Sequence, residues 1–156
     1  MSDSTAADAV TALLHAVDTL DWDGVLAVLA REVRLDYTSL WGGEVESVAA
    51  TEVVSRWRGL LPGFDATQHL TGPVLTSPAP DGDGGVRCVT TVRGYHHLAD
   101  GDLRGTWMVA GRYDIRVTDD RITAITLHAT YEDGDRALTE LASARCAAGT
   151  GGRVAA

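Results

Sequence analysis

Residues 86–117 read VRCVTTVRGYHHLADGDLRGTWMVAGRYDIRV, two long extended runs joined by Asp100-Gly101-Asp102. Both runs are rich in β-branched and aromatic residues, and an Asp/Gly turn between two such runs predicts a long antiparallel hairpin. In the second run the odd positions Trp107, Val109, Tyr113, Ile115 and Val117 are mostly apolar. In the first, Cys88, Thr90, Val92, Gly94 and His96 share one face of the strand, while Arg93, Tyr95 and His97 share the other. The small, apolar phase is expected to face inward and to carry His96 with it, which leaves the adjacent His97 on the wetter face. Asp119-Asp120 turns the chain into a further strand over 121–131, and a turn-rich segment, Pro78 to Gly85, precedes the hairpin. Before that lies an extended stretch over 66–75, broken by Gly72-Pro73.

Outside the strands the apolar period changes. Val10, Leu13, Leu14, Val17, Leu20, Val25, Leu26 and Leu29 recur at three- and four-residue steps, which predicts amphipathic helices over 5–20 and 22–30, with Asp21 as the N-cap of the second. A short strand follows at 33–37 and ends before Trp41-Gly42-Gly43. A third helix is expected over 49–61, stopped by Pro62-Gly63, and a last one over 137–147. Helices segregated from an antiparallel meander define the α+β class. A strongly curved antiparallel sheet whose concave side is closed by the N-terminal helices makes a cone-shaped α+β barrel with a central apolar pocket, and such pockets are default ligand sites. The chain reads as one domain over 1–147 with a flexible tail over 148–156.

Composition narrows the function. With 156 residues, 13 Lys plus Arg against 22 Asp plus Glu, and a formal charge of −9, the chain lacks the basic face that phosphate contacts require, so nucleic acid is not an expected partner. No apolar run approaches a membrane span and the first residues carry no signal core, which makes the cytoplasm the expected address. Cys88 and Cys146 form no CxxC pair and read as small buried hydrophobes. Gly-rich nucleotide loops, nucleophile elbows and H-E-x-x-H are all missing, so neither a cofactor nor a metal is expected. Gly82-Asp83-Gly84-Gly85 reads as a turn.

Five histidines remain: His15, His69, His96, His97 and His128. A histidine base needs a carboxylate that fixes its tautomer and offsets the charge it gains. Asp18 borders the apolar face of the first helix and is the candidate partner, the alternative being an exposed residue near a helix end. Tyr37 can donate a phenolic hydrogen bond to a substrate oxygen or serve as ordinary core. Trp41, Trp57, Phe64 and Trp107 are candidate pocket walls, and Arg112 is either a pocket group for an anionic substrate or the outward end of a strand ion pair. His15 and His97 read as solvent-facing or structural, and His128 is ambiguous.

The segments Asp21-Trp22-Asp23, Leu35-Asp36-Tyr37-Thr38-Ser39 and Thr67-Gln68-His69, in that order and followed by a strand histidine, resemble scytalone dehydratase and the related SnoaL-like proteins of the nuclear transport factor 2-like superfamily. The resemblance spans roughly Ala12 to Asp133. It implies the same cone, and a pocket in which an Asp–His pair, a second His and two tyrosines remove water next to a carbonyl without metal or cofactor. It maps the Asp to Asp18, the two histidines to His69 and His96, and one tyrosine to Tyr37. The other tyrosine is Val17 here, and the Ser and Asn that read the substrate become Ala110 and Arg112. These departures put scytalone itself in doubt as substrate. The expected activity is therefore a lyase or isomerase of dehydratase or cyclase type on a small cyclic or polyketide-like secondary metabolite. In it Asp18 pairs with His96 as base, and His69 with Tyr37 binds the carbonyl. The alternatives are a non-catalytic small-molecule binder or dimerising member of the fold, and an epoxide hydrolase-like enzyme using Arg112 with Asp114. Assembly as a homo-oligomer, dimer or trimer, follows from family habit.

Overall fold

The structure, a computed structural model, describes residues 3–82, 84–150 and 152–153. Two helices open the chain, α1 (Asp3–Thr19) and α2 (Trp22–Val28), followed by β1 (Leu29–Asp36), the single-turn α3 (Thr38–Trp41), β2 (Glu46–Ala49) and α4 (Ala50–Arg58). A short 3₁₀ turn at Leu61–Gly63 leads into β3 (Ala66–Thr71), β4 (Leu75–Pro78), the long β5 (Val86–Asp100), β6 (Leu103–Thr118) and β7 (Arg121–Gly134), and α5 (Leu138–Ala148) closes the series. The predicted hairpin is β5–β6, in register from Val86↔Val117 to Asp100↔Leu103.

One curved, unclosed sheet holds all seven strands in the order β2-β1-β7-β6-β5-β3, with β4 alongside β5 beyond β3. The sheet is mixed, which corrects the expectation of a purely antiparallel one: β1 runs parallel to β7. Parallel neighbours need a long connection, and more than half of the chain separates these two strands. Where β1 was expected to begin at residue 33, it begins at Leu29, which continues the helical period yet pairs with Ile122 of β7. The stretch over 66–75 splits into β3 and β4 at Gly72-Pro73. β2 and α3 escaped the sequence, both being only four residues long.

Curvature has a local cause. Between Ala110 and Gly111 the β6–β7 register shifts past Thr130, a bulge that bends the strands. A side chain at Gly111 would overlap the His128 carbonyl, so only glycine permits that approach.

α1 lies across the concave face, touching β3 to β7. Leu13, Leu14 and Val17 form its buried stripe, in the same core cluster as Phe64, Leu98, Ile115 and Ile125. Full burial of one such side chain is worth about 2 kcal/mol. The helix ends where Leu20 takes a left-handed conformation (φ 57°), with Leu20 N–H on the Val17 carbonyl and Asp21 N–H on that of Ala16. That conformation costs a non-glycine residue about 1 kcal/mol, and it is held because Leu20 is fully buried. Asp21 then caps α2 by accepting from Gly24 N–H at 2.9 Å, as the sequence predicts. The turn fixes the last residues of α1, Asp18 among them, against β3.

Candidate active site

A cavity of about 360 Å³ opens between α1, α4 and the concave face of the sheet. Its walls are apolar and aromatic, including Val17, Trp41, Trp57, Trp107 and Val109, and its rim carries Glu44, Glu46 and Arg56. The expected walls Trp41, Trp57 and Trp107 all line it. Phe64 does not: it is fully buried behind His96, ring centroids 5.1 Å apart. Arg112 lies exposed on the outer face opposite His128, because it falls in the even phase of β6 while Trp107, Val109, Tyr113 and Ile115 point inward. Ala110 shares that outward phase. Asp114 is likewise taken by Arg87 at 3.0 Å, so no Arg112–Asp114 pair faces the cavity.

At the polar end of the cavity stands His69, on β3 directly opposite Gly94 of β5. Asp18 grips it twice. Its Oδ1 lies 2.8 Å from His69 Nδ1, and its Oδ2 accepts the His69 backbone N–H at 2.6 Å. The Thr67 hydroxyl donates to Oδ1 at 3.2 Å. Burial alone disfavours the Asp18 carboxylate, yet the hydrogen bonds and charge of His69 outweigh it and hold the carboxyl below its ordinary value. An ionised Asp18 can only accept, so Nδ1 carries the proton and Nε2 keeps a lone pair at the cavity.

The carboxylate partner of Asp18 is therefore His69 and not the expected His96. His96 does face inward, buried at 6% exposure, but its Nδ1–H donates to the Trp107 carbonyl at 3.3 Å and its ring packs between Phe64 and Trp107. Burial, with His69 adding repulsion from a ring 6.0 Å away, pushes its pKa down to about 4. His96 is thus a neutral imidazole whose Nε2 accepts hydrogen bonds. His97 points outward to Thr106, and His15 and His128 are exposed.

This neutral burial has a measurable consequence. Unfolded His96 titrates near 6.5 and the folded one near 4, so between those values only the unfolded chain binds the proton, and stability falls as pH drops through that window, by roughly 3 kcal/mol in full. Thermal melts from pH 7 to pH 4 should show this fall in the wild type and a shallower one in His96→Gln, which keeps a donor but cannot titrate.

Two phenols complete the polar end. Tyr113 is buried and Tyr37 partly buried; both line the cavity and are hydrogen-bonded to each other, and burial raises both pKa values, that of Tyr37 well above normal. They stay protonated, and since a bond between two phenols uses only one hydrogen, one O–H remains to donate to a ligand. Tyr113 was missed in the sequence, where it counted as one more apolar odd position of β6; its shared phase with Trp107 and Val109 was the available signal. It brings a second phenol to the cavity from the sheet. Gly94 was missed as well. A methyl there would sit 3.3 Å from His69 Nε2 and 3.4 Å from His96 Cε1, so Gly94→Ala should wedge the imidazoles and lower turnover about tenfold or more while the melting temperature stays near wild type.

No group of three or more His, Cys, Asp or Glu able to hold a metal occurs among the described residues. Among them too, no helix is long and apolar enough to cross a membrane.

A curved sheet with helices over its concave face and a polar-ended pocket between them defines the nuclear transport factor 2-like cone. Within it the chain belongs to the SnoaL-like domain family, whose model matches residues 3–140. Among solved structures it is similar to the Kfla4162 protein from Kribbella flavida, with 22% identity over 89% of this chain and 95% of that one and a TM-score of 0.76. It is also similar to a candidate scytalone dehydratase from Novosphingobium aromaticivorans, with 11% identity, 81% and 82% coverage and a TM-score of 0.61. A Δ5-3-ketosteroid isomerase from Mycobacterium sp. gives 15% identity, 84% and 98% coverage and a TM-score of 0.62. At these identities the likeness is one of fold. None of the curated proteins matches the chain.

Proposed function

We propose that the protein is a lyase or isomerase of dehydratase or cyclase type that moves a proton beside a carbonyl of a small cyclic or polyketide-like metabolite. The observation that carries this reading is the 2.8 Å Asp18–His69 bond with His69 opening on an apolar cavity. In a dehydration, His69 Nε2 removes the proton α to the carbonyl and the electron pair moves onto the carbonyl oxygen. The free phenol O–H of the Tyr37–Tyr113 pair donates to that oxygen as charge develops, a preorganised contact in a water-poor site worth several kcal/mol of barrier. The pair then returns, the β-hydroxyl leaves, and His69 gives it the proton, so that water departs and the base is regenerated. His96 Nε2 accepts from the substrate hydroxyl and orients it. In an isomerisation the same proton is returned to another carbon. Proton transfer and water loss change no overall oxidation state, so the chain's own residues suffice without a redox cofactor.

Names of structural neighbours support the class without fixing the substrate: one is a ketosteroid isomerase and another a candidate scytalone dehydratase. The test is a panel of one- to three-ring β-hydroxy ketones, screened for quenching of the pocket tryptophans and then incubated in D₂O. Deuterium incorporation α to the carbonyl, or loss of water, supports the reading; binding without either leaves the protein a small-molecule binder. Self-association through the outer sheet face, where Leu70, Leu75 and Tyr131 are exposed, is part of the same proposal, and light scattering at the monomer mass would contradict it.

A further inference from the structure

The tail after α5 was expected to be loose, and residues 151 and 154–156 lie outside the described ones. Arg153 is docked. Its backbone N–H donates to the Pro62 carbonyl at 2.8 Å, and Gly152 turns there with φ 74° in a spot where a side chain would overlap the same carbonyl. The guanidinium reaches under the site: Nε donates to the Phe64 carbonyl at 3.3 Å, Nη1 to the Asp18 carbonyl at 2.5 Å, and Nη2 to the Leu61 carbonyl at 3.3 Å and the Thr67 hydroxyl at 2.8 Å. Among the described residues, no carboxylate forms an ion pair with it. Asp65, whose charge it feels, is taken by Arg145 at 3.1 Å.

Two needs of the site are met by this contact. α1 has no basic residue in its last turn, and the carbonyl end of a helix is the negative pole of its dipole, a poor place for the Asp18 carboxylate. The late carbonyls of His15, Ala16 and Val17 are served locally, by Thr19, Asp21 and Leu20; that of Asp18 is served by Arg153 from the far end of the chain. Second, because Arg153 donates to the Thr67 oxygen, the Thr67 hydrogen is turned toward Asp18 Oδ1. A directed line of donors results: Arg153 to Thr67, Thr67 to Asp18, with His69 Nδ1–H on the same carboxylate.

We propose that Arg153 is a positioning residue of the Asp18–His69 pair, a cation that caps the end of α1 and, through Thr67, fixes the carboxylate that orients the imidazole. The inference rests on His69 being the base, as proposed above. The titratable and charged groups around the pair are Asp18 from α1, Tyr37 after β1, His96 from β5, Tyr113 from β6 and Arg153. Of these only Arg153 is a permanent cation, and its charge opposes protonation of His69. Removing it takes away a repulsion that a protonated imidazole would feel.

The test reads His69 directly, by two-bond ¹H–¹⁵N spectra of the histidine rings in ¹⁵N-labelled full-length protein between pH 5 and pH 9 at low salt. Arg153→Gln should move the His69 titration upward by about half a pH unit or more, with His15 and His128 unmoved. Arg153→Lys, which keeps the charge, should move it less than half as far. Thr67→Val breaks the line without touching the tail and should give a smaller upward shift; it carries the test should the Gln variant not fold. A His69 titration unchanged in Arg153→Gln, whatever happens to the melting temperature, overturns the proposal, as does an equal displacement in the Lys variant. Full activity in His69→Ala would remove the functional reading yet leave this titration interpretable on its own.

Discussion

His69→Ala should slow α-proton exchange by about 10³-fold, within the range usual for loss of a positioned general base, with ligand binding changed only a few-fold. The effect is large because His69 is the one imidazole with both a carboxylate partner and an open nitrogen at the cavity. His96 cannot replace it: burial holds it neutral at a pKa of about 4, its Nδ1 is committed to Trp107, and a base that weak removes little at neutral pH. Binding survives because most of the wall is made by Trp41, Trp57, Trp107 and the apolar face of α1, all of which remain when His69 is cut back. The measurement is exchange rate and tryptophan quenching on the same sample. Comparable losses in both would make His69 a wall residue.

Asp18→Asn should be nearly as damaging, with exchange slowed about 10³-fold. The substitution preserves shape, but an amide has one acceptor oxygen where the carboxylate has two. Asp18 receives the His69 backbone N–H on Oδ2 and the Nδ1–H on Oδ1, so in the variant an NH₂ group must face one of them. Either the strand loses a backbone hydrogen bond or the imidazole is forced into the tautomer that puts its proton on Nε2, where it can no longer accept one. An unsatisfied buried donor also costs about 1–3 kcal/mol, so a lower melting temperature should accompany the kinetic loss. Asp18→Glu, which keeps the charge in a longer side chain, separates the two effects: it should recover the ionised partner and only part of the geometry.

The fold was legible where a long period spoke. β5, β6 and β7 announced themselves by alternation, α1 by its Leu13, Leu14 and Val17 stripe, and the inward set of β5 by the contrast between Gly94 or His96 and Arg93 or His97. Short elements did not, since four residues of β2 or α3 cannot establish a period. The parallel β1–β7 pairing is a long-range choice that no local pattern records. The site divides the same way. Which residues face the cavity follows from strand phase, which placed His96; the odd phase of β6, read only as apolar, also carries Tyr113 to the cavity and leaves Arg112 outside. Which of two histidines takes the carboxylate does not follow from phase, because it depends on how α1 crosses the sheet, a long-range arrangement at whose end Leu20 turns left-handed and Arg153 reaches the Asp18 carbonyl from the far end of the chain. Asp18 lies half-buried at the end of α1, and its partner sits on β3 and not on β5.

The claim on which the rest depends is that His69, held by Asp18, is the group that takes the proton. It is tested most directly by comparing two titrations on one protein: the ring ¹⁵N shifts of His69 against pH, and the pH dependence of α-deuterium exchange into a bound β-hydroxy ketone. Exchange should rise with pH through the same midpoint at which His69 loses its second proton, and should be lost in His69→Ala. Exchange that proceeds at the wild-type rate in His69→Ala, or follows a midpoint that His69 does not share, would contradict it.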